Sequence, residues 1–291
     1  MTTPPDDALL FDVDVSVPPT PVGRLLALAD LYTQHNDKVD LLLFGRAADP
    51  DPSDYAASAR RLERETLAAI KAIQDQRLRA SDTVTDAVVR LKQLAYLSGG
   101  ATRYLTAAQQ TLPPADTANE RPDPRRGLGQ YARLARELTA LAPREAVECA
   151  ARIAGEMRRR RPAATAAAPV DELDPEQRSV LLEVACGHIA VARDLGRQHV
   201  YFRYTFVGVE ELRRLDAEDL IARESASAPP SFRGGLPRDR VRLTARGIAT
   251  LGALIEPPPT LRFPPAARPV PTAASQPAAG PSASTGRSAT R

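Results

Sequence analysis

Apolar residues recur at helical spacing through most of the first 160 positions. Leu25, Leu26, Ala29, Tyr32, Val39, Leu42 and Leu43 fall on one face, which predicts a long helix. Thr20-Pro21 supplies a capping side chain and a proline at the first helical position, and Gly45 marks the end. Asp49 to Ser53 reads as a turn and restart. From Ser53 to Leu112 the pattern carries seven-residue elements: Leu62, Thr66, Ala69 and Ile73, a break near Ala80-Ser81-Asp82, then Val84, Val88, Leu91 and Ala95. So narrow a seam is what a helical hairpin or a two-stranded coiled coil buries. An intramolecular hairpin and a dimer bury the same residues. Gly99-Gly100 is expected to end or kink the second helix, leaving a short one over Thr102–Leu112.

Leu128, Tyr131, Leu134, Ala135 and Leu138 predict a helix over Gly127–Leu141. Pro143 opens another, with Ala146, Val147, Ala150, Ile153 and Met157 on its apolar face and Arg158 to Arg161 at its end. Four arginines there suit the negative end of the macrodipole, and a duplex-phosphate role is the less favoured reading. Asp174-Pro175-Glu176 is a strong start signal for a helix buried through Val180, Leu181 and Val184 and ending at Gly187. Even-step spacing over Ile189, Val191 and Leu195, and again over Val200, Phe202, Tyr204 and Phe206, favours a β-hairpin turning near Asp194–Gln198. A helix over Ala190–Leu195 competes with it.

The last stretch orders its elements distinctively. An apolar-spaced helix (Val209, Leu212, Leu215) runs into strand-like Leu220-Ile221-Ala222-Arg223. A loop bearing arginine and glycine follows. Arg240-Val241-Arg242-Leu243-Thr244-Ala245-Arg246-Gly247 then opens a final helix through Leu251 and Leu254. In this order, and in the runs Leu212 to Arg223 and Arg242 to Gly247, residues 173–256 resemble winged-helix regulators of the MarR and PadR type. Those families carry a similar Leu-x-x-Leu-x-x-x-x-Leu-Ile-x-Arg run and end the second wing strand in Leu-Thr-x-x-Gly. The chain is also similar, in its Gly-Arg-Gln and Gly-Gly-Leu-Pro phrases, to actinobacterial proteins from which no activity carries over.

The resemblance implies a recognition helix in a major groove and a wing on the flanking backbone, in a dimer spanning two half-sites. On that expectation Arg213 and Arg214 face the groove, Arg203 and Thr205 approach the backbone, and Arg233, Arg238 and Arg240 form the wing contact. The partner is double-stranded DNA, and the role is transcriptional regulation as a homodimer. Charge divides the case. Residues 208–224 sum to −3, which repels phosphate, whereas residues 225–246 sum to +4. The alternative is a non-enzymatic interaction or adaptor protein that docks a protein partner on its helical region and winged helix. The zero net charge of residues 173–256 favours it.

Composition bounds the rest. The net charge of +3 combines an acidic first fifty residues (−5) with a basic 121–161 (+6) and a basic end. Nearly all the cations are arginine in a chain rich in alanine and proline. That is a coding-bias signature, so arginine frequency alone does not signal nucleic acid. Cys149 and Cys186 form no disulfide framework. Cys186, His188 and His199 lack paired ligand spacing and a fourth ligand, so no metal is expected. No phosphate-loop, nucleophile-elbow or zinc-protease motif occurs, so neither a catalytic residue nor a cofactor can be nominated. No signal peptide and no apolar run of membrane length occur, which leaves a cytoplasmic location as the expectation. The expected organisation is mainly α: a disordered tail (1–18), a helical hairpin or coiled-coil region (19–112), a linker (113–126), a basic helical pair (127–161), a linker (162–172), an α+β winged-helix domain (173–256) and a disordered Pro/Ala/Ser tail (257–291).

Overall fold

The computed structural model describes residues 20–47, 51–76, 81–111, 124–160, 173–194, 197–232 and 234–255. The expected tails, most of the two linkers, Arg161 and Arg233 lie outside the described residues. The fold is mainly helical with one small antiparallel sheet. In chain order it comprises α1 (Pro21–Leu43), α2 (Pro52–Asp75), α3 (Asp82–Thr111), α4 (Pro124–Thr139), α5 (Ala142–Arg160), α6 (Pro175–Ala185), β1 (Ala190–Asp194), β2 (Arg197–Tyr201), α7 (Val209–Ala217), β3 (Ile221–Ala228), β4 (Arg238–Leu243) and α8 (Ala245–Leu254). None of the described helices is long and apolar enough to cross a membrane.

Local chemistry sets the element starts. Thr20 Oγ1 accepts from the Gly23 amide, and Asp51 accepts from Ser53. Asp174 and Gln177 form a reciprocal capping box, and Thr244 accepts from the Gly247 amide. Each satisfies amides that a helix leaves without intrahelical partners. The β1–β2 hairpin forms, with Val191 opposite Val200, but β2 ends at Tyr201, so Phe202, Tyr204 and Phe206 of the expected alternation lie beyond the strand. The strands assemble in the order β2-β1-β4-β3.

The heptad seam is spent within the chain: α2 packs on α3, with Leu62, Thr66, Ala69, Ile73, Val84 and Leu91 buried. Thr66 tolerates this because its hydroxyl meets Tyr32 Oη at 2.9 Å and donates to the Leu62 carbonyl. Gly99-Gly100 does not interrupt α3, which runs unbroken through both to Thr111 and absorbs the short helix expected from Thr102. Packing is the reason. A Cβ on Gly100 would lie 3.0 Å from Leu138 Cδ1, and one on Gly99 3.3 Å from Glu63 Oε1. The missing side chains let α2 and α4 approach.

α1 is the central element. It packs against α2, α4, α5, α6, α8 and β3. One apolar core runs from Val22 on α1 through α2, α3, α5, α6 and the sheet to Ile255. Residues 173–255 therefore share their core with the N-terminal helices.

Candidate binding groove

The sheet is fastened to α1 by arginines. Arg240 on β4 is buried. Its Nε and Nη2 donate to the two carboxylate oxygens of Asp37 at 2.8 and 2.5 Å, and its Nη1 donates to the carbonyls of Gly187 and Ile189. Arg242, two positions along the strand and so on the opposite sheet face from Val241, pairs with Asp30 at 2.7 Å and with Glu224. Gly187 closes the joint. Its φ is +72°, and a Cβ there would stand 2.4 Å from Thr33 Oγ1, so only glycine brings the end of α6 onto α1.

Beside this joint lies an open groove of about 360 Å³. One wall comes from the later turns of α1, the end of α4 and the start of α5, including Asp40, Arg136, Leu141 and Arg144. The other comes from the end of β2 and its following segment, with Tyr201, Phe202, Arg203 and Tyr204, together with Arg238 of β4. Five arginines face two aspartates around it. Two of the arginines are neutralised inside the protein: Arg240 by Asp37, and Arg136 by Asp40 at 2.9 Å. Arg144 pairs with Glu148 at 3.0 Å and lies 5.7 Å from the Tyr204 ring centroid. Arg203 lies 5.4 Å from the same ring, and Arg238 lies 4.5 Å from that of Tyr201. Neither Arg203 nor Arg238 forms an ion pair with any described carboxylate. Burial and the neighbouring Arg240 charge hold the Arg238 guanidinium below its usual range. Its Nε donates to the Pro229 carbonyl, and its other nitrogens have no described partner. An anion in the groove would favour the charged guanidinium and so act against both effects.

Phe202 of the lining packs edge to face on Phe206 at 5.4 Å, and Phe206 remains 74% exposed. Outside the lining, in the β3–β4 connection, Phe232 and Leu236 are exposed too. Tyr204 meets the His188 ring edge-on at 5.0 Å, and His188 Nδ1 meets Glu183 at 2.9 Å.

The arginines expected to read a duplex are dispersed. Arg240 is corrected outright: it is an interior anchor, because a β4 side chain at that register points onto α1 rather than away from the body. Arg238 is half-buried against Tyr201. Arg203 and Thr205 flank the groove, Thr205 sitting 3.5 Å from Glu183. Arg213 and Arg214 are exposed on α7, away from the groove lining, and pair with Glu210 at 2.5 Å and Glu211 at 3.5 Å. The hairpin of β3 and β4 lies against α1 and does not project as a free wing. At the end of α5, Arg159 and Arg160 pair with Glu156, and Arg158 donates to the carbonyl of Ile255, the residue that ends α8. Among the described residues no group of three or more histidine, cysteine, aspartate or glutamate side chains is placed to hold a metal ion. Burial pushes both cysteine thiols up to about 12.

The groove itself went unread in sequence. Its aromatics were visible as strand alternation, but nothing local says that residues 201–204 face residues 136–144.

Compared with known protein families, with curated proteins and with solved structures, the chain matches none. Function is therefore argued from the chemistry of the site.

Proposed function

We propose that the protein is a non-enzymatic interaction protein that holds an acidic, apolar-bearing segment of a protein partner in the groove between α1 and the sheet. The observation that carries this is the pair Arg203 and Arg238. Both lie over tyrosine rings, neither pairs with a carboxylate among the described residues, and Phe202, half in water, lines the same groove. Aromatic residues with arginine are the usual anchors of protein interfaces, and exposed apolar clusters rimmed by charge mark docking sites. A groove of this size takes a few side chains of a peptide rather than a whole domain.

Duplex binding is the weaker reading. It retains the element order of α7, β3, β4 and α8, and the exposed Arg213 and Arg214. It loses Arg240 and Arg242 to α1, and its helix carries Glu210 and Asp216 on the exposed side, with Glu218 exposed at its C-cap.

Fluorescence polarisation against a panel of labelled peptides alternating acidic and apolar residues tests the proposal, with a labelled duplex titrated in parallel at low salt. Peptide binding should weaken roughly tenfold or more when Arg203 and Arg238 are both changed to alanine, as expected of anchor residues. Duplex affinity that falls steeply with salt, and that disappears in Arg213→Ala/Arg214→Ala while peptides fail to bind, would reverse the choice.

A further inference from the structure

Resting on the reading of the groove as a dock for an acidic segment, we infer that the groove takes up a proton together with its ligand and that the proton goes to His188. His188 lines the groove, one residue past the Gly187 joint. Its Nδ1 meets the Glu183 carboxylate at 2.9 Å. Its ring stands 5.0 Å from that of Tyr204, the ring over which both Arg144 and Arg203 lie. Two groups at this corner lack an opposite charge. Arg203 pairs with no carboxylate among the described residues. Glu183 pairs with no arginine or lysine among them, and its other oxygen accepts from Thr205 at 3.5 Å. While His188 is neutral, Glu183 is an uncompensated negative charge beside a groove that an acidic ligand must enter. Protonation of His188 turns that contact into an ion pair and withdraws the repulsion.

The elements around His188 each bring charge to the balance. α6 brings Glu183. α5 brings Arg144, whose own carboxylate is Glu148 at 3.0 Å. The segment after β2 brings Arg203. α1 brings Asp37, already held by Arg240, whose Nη1 also donates to the Gly187 carbonyl. Burial, together with the Arg203 and Arg144 charges, holds the His188 pKa below its ordinary range, and Glu183 works against them. An anion set against Arg203 cancels part of the charge that opposes a proton on the ring. Binding and protonation then favour each other by the same factor. The free groove needs a lower pH than the occupied one to charge His188. Affinity for an acidic ligand therefore rises as pH falls through the occupied-state pKa, and it levels off below the free-state one. The groove holds its partner more tightly in acid and releases it as pH rises. Of the three histidines, His35 is sealed in the interior with its pKa pulled down to about 4, and His199 lies on β2 outside the lining.

The test titrates the full chain with a labelled peptide of alternating glutamate and apolar residues, acetylated and amidated at its ends. Such a ligand keeps its charge between about pH 5.5 and about pH 8. Affinity should be roughly threefold or more tighter at the acid end, since a change of one unit in the His188 pKa corresponds to about a factor of ten. Calorimetry in two buffers of different ionisation enthalpy should show a fraction of a proton taken up per peptide bound. His188→Gln keeps a donor for Glu183 and cannot charge, so both the pH dependence and the proton uptake should vanish. Glu183→Gln keeps the hydrogen bonds and removes the negative charge, so it should tighten binding at about pH 8; it carries the test if thermal melts show His188→Gln to be unfolded. Equal affinity across the range, looser binding in acid, or a pH dependence that persists in His188→Gln would overturn the proton uptake while leaving the groove as a dock. Persistence would hand the effect to Asp37 and Asp40, whose carboxyls burial raises. Failure of the peptide to bind the unaltered chain and Glu183→Gln at every pH in the range would overturn the dock and this inference together.

Discussion

Asp37 and Arg240 are joined across more than two hundred positions, and removing one side of the pair differs physically from removing both. Asp37→Ala strands a guanidinium in the interior, and such a loss costs about 3–5 kcal/mol. Asp37→Leu/Arg240→Met removes both charges at similar volume and should recover most of that. Urea denaturation of the two variants measures the difference; a single variant within about 1 kcal/mol of the unaltered chain would mean that water reaches the pair. His35, also on α1, sets an acid limit. It is fully buried with Nδ1 on Ser58 Oγ, and burial pulls its pKa from 6.5 down to about 4. The unfolded chain therefore takes up a proton between those values while the folded chain does not. The contribution is fully present above pH 6.5 and is lost as pH falls toward 4, by up to about 3 kcal/mol. Asp37 and Asp40, whose carboxyls burial raises, act in the opposite sense. The comparison is accordingly between the unaltered chain and His35→Asn, whose stability should decline less over that window in denaturation curves taken from pH 7 to pH 4.

At the scale of elements, the joint between α6 and α1 depends on one glycine. Gly187→Ala forces a side chain into the left-handed region and onto Thr33. The expected cost is about 2 kcal/mol or more, seen as a lower denaturation midpoint. Thr33→Ala in the same background should return part of it, because the overlapping atoms are then gone. This contrast also shows what was legible beforehand. The starts at Thr20 and Asp174 were readable because a cap is a local event, settled by three or four residues. The seam through Leu62, Thr66, Ala69 and Ile73 was readable because periodicity is local as well. Gly99-Gly100 was misread for the converse reason. A helix breaker and a helix–helix contact carry the same letters, and only Leu138 and Glu63, from distant segments, distinguish them. Arg240 was misassigned similarly. As one of five arginines in a +4 stretch it looked like a surface cation, and its counter-charge is 203 residues away.

At the scale of the whole molecule, the expected boundary at residue 173 coincides with no break in packing. α1 carries polar keys along its length: Asp30 to Arg242, Tyr32 to Thr66 and Ser98, Asn36 to Thr139, Asp37 to Arg240, and Asp40 to Arg136. These keys make α1 the common backing of both the helical half and the sheet. A fragment of residues 173–256 would lose it. Arg240 and Arg242 would lose their α1 carboxylates, and the buried faces of Ile189, Val241, Ile248 and Leu251 would meet water. An autonomous winged-helix module would instead fold alone, with its own core. The expected outcome is therefore that the isolated fragment shows collapsed, poorly dispersed amide resonances, whereas the full chain shows a dispersed spectrum and one cooperative unfolding transition. A dispersed spectrum from the fragment would return the sheet to the status of a separate domain. It would also return β3 and β4 to the role of a wing, because a hairpin that holds its shape without α1 is free to leave α1 for another surface.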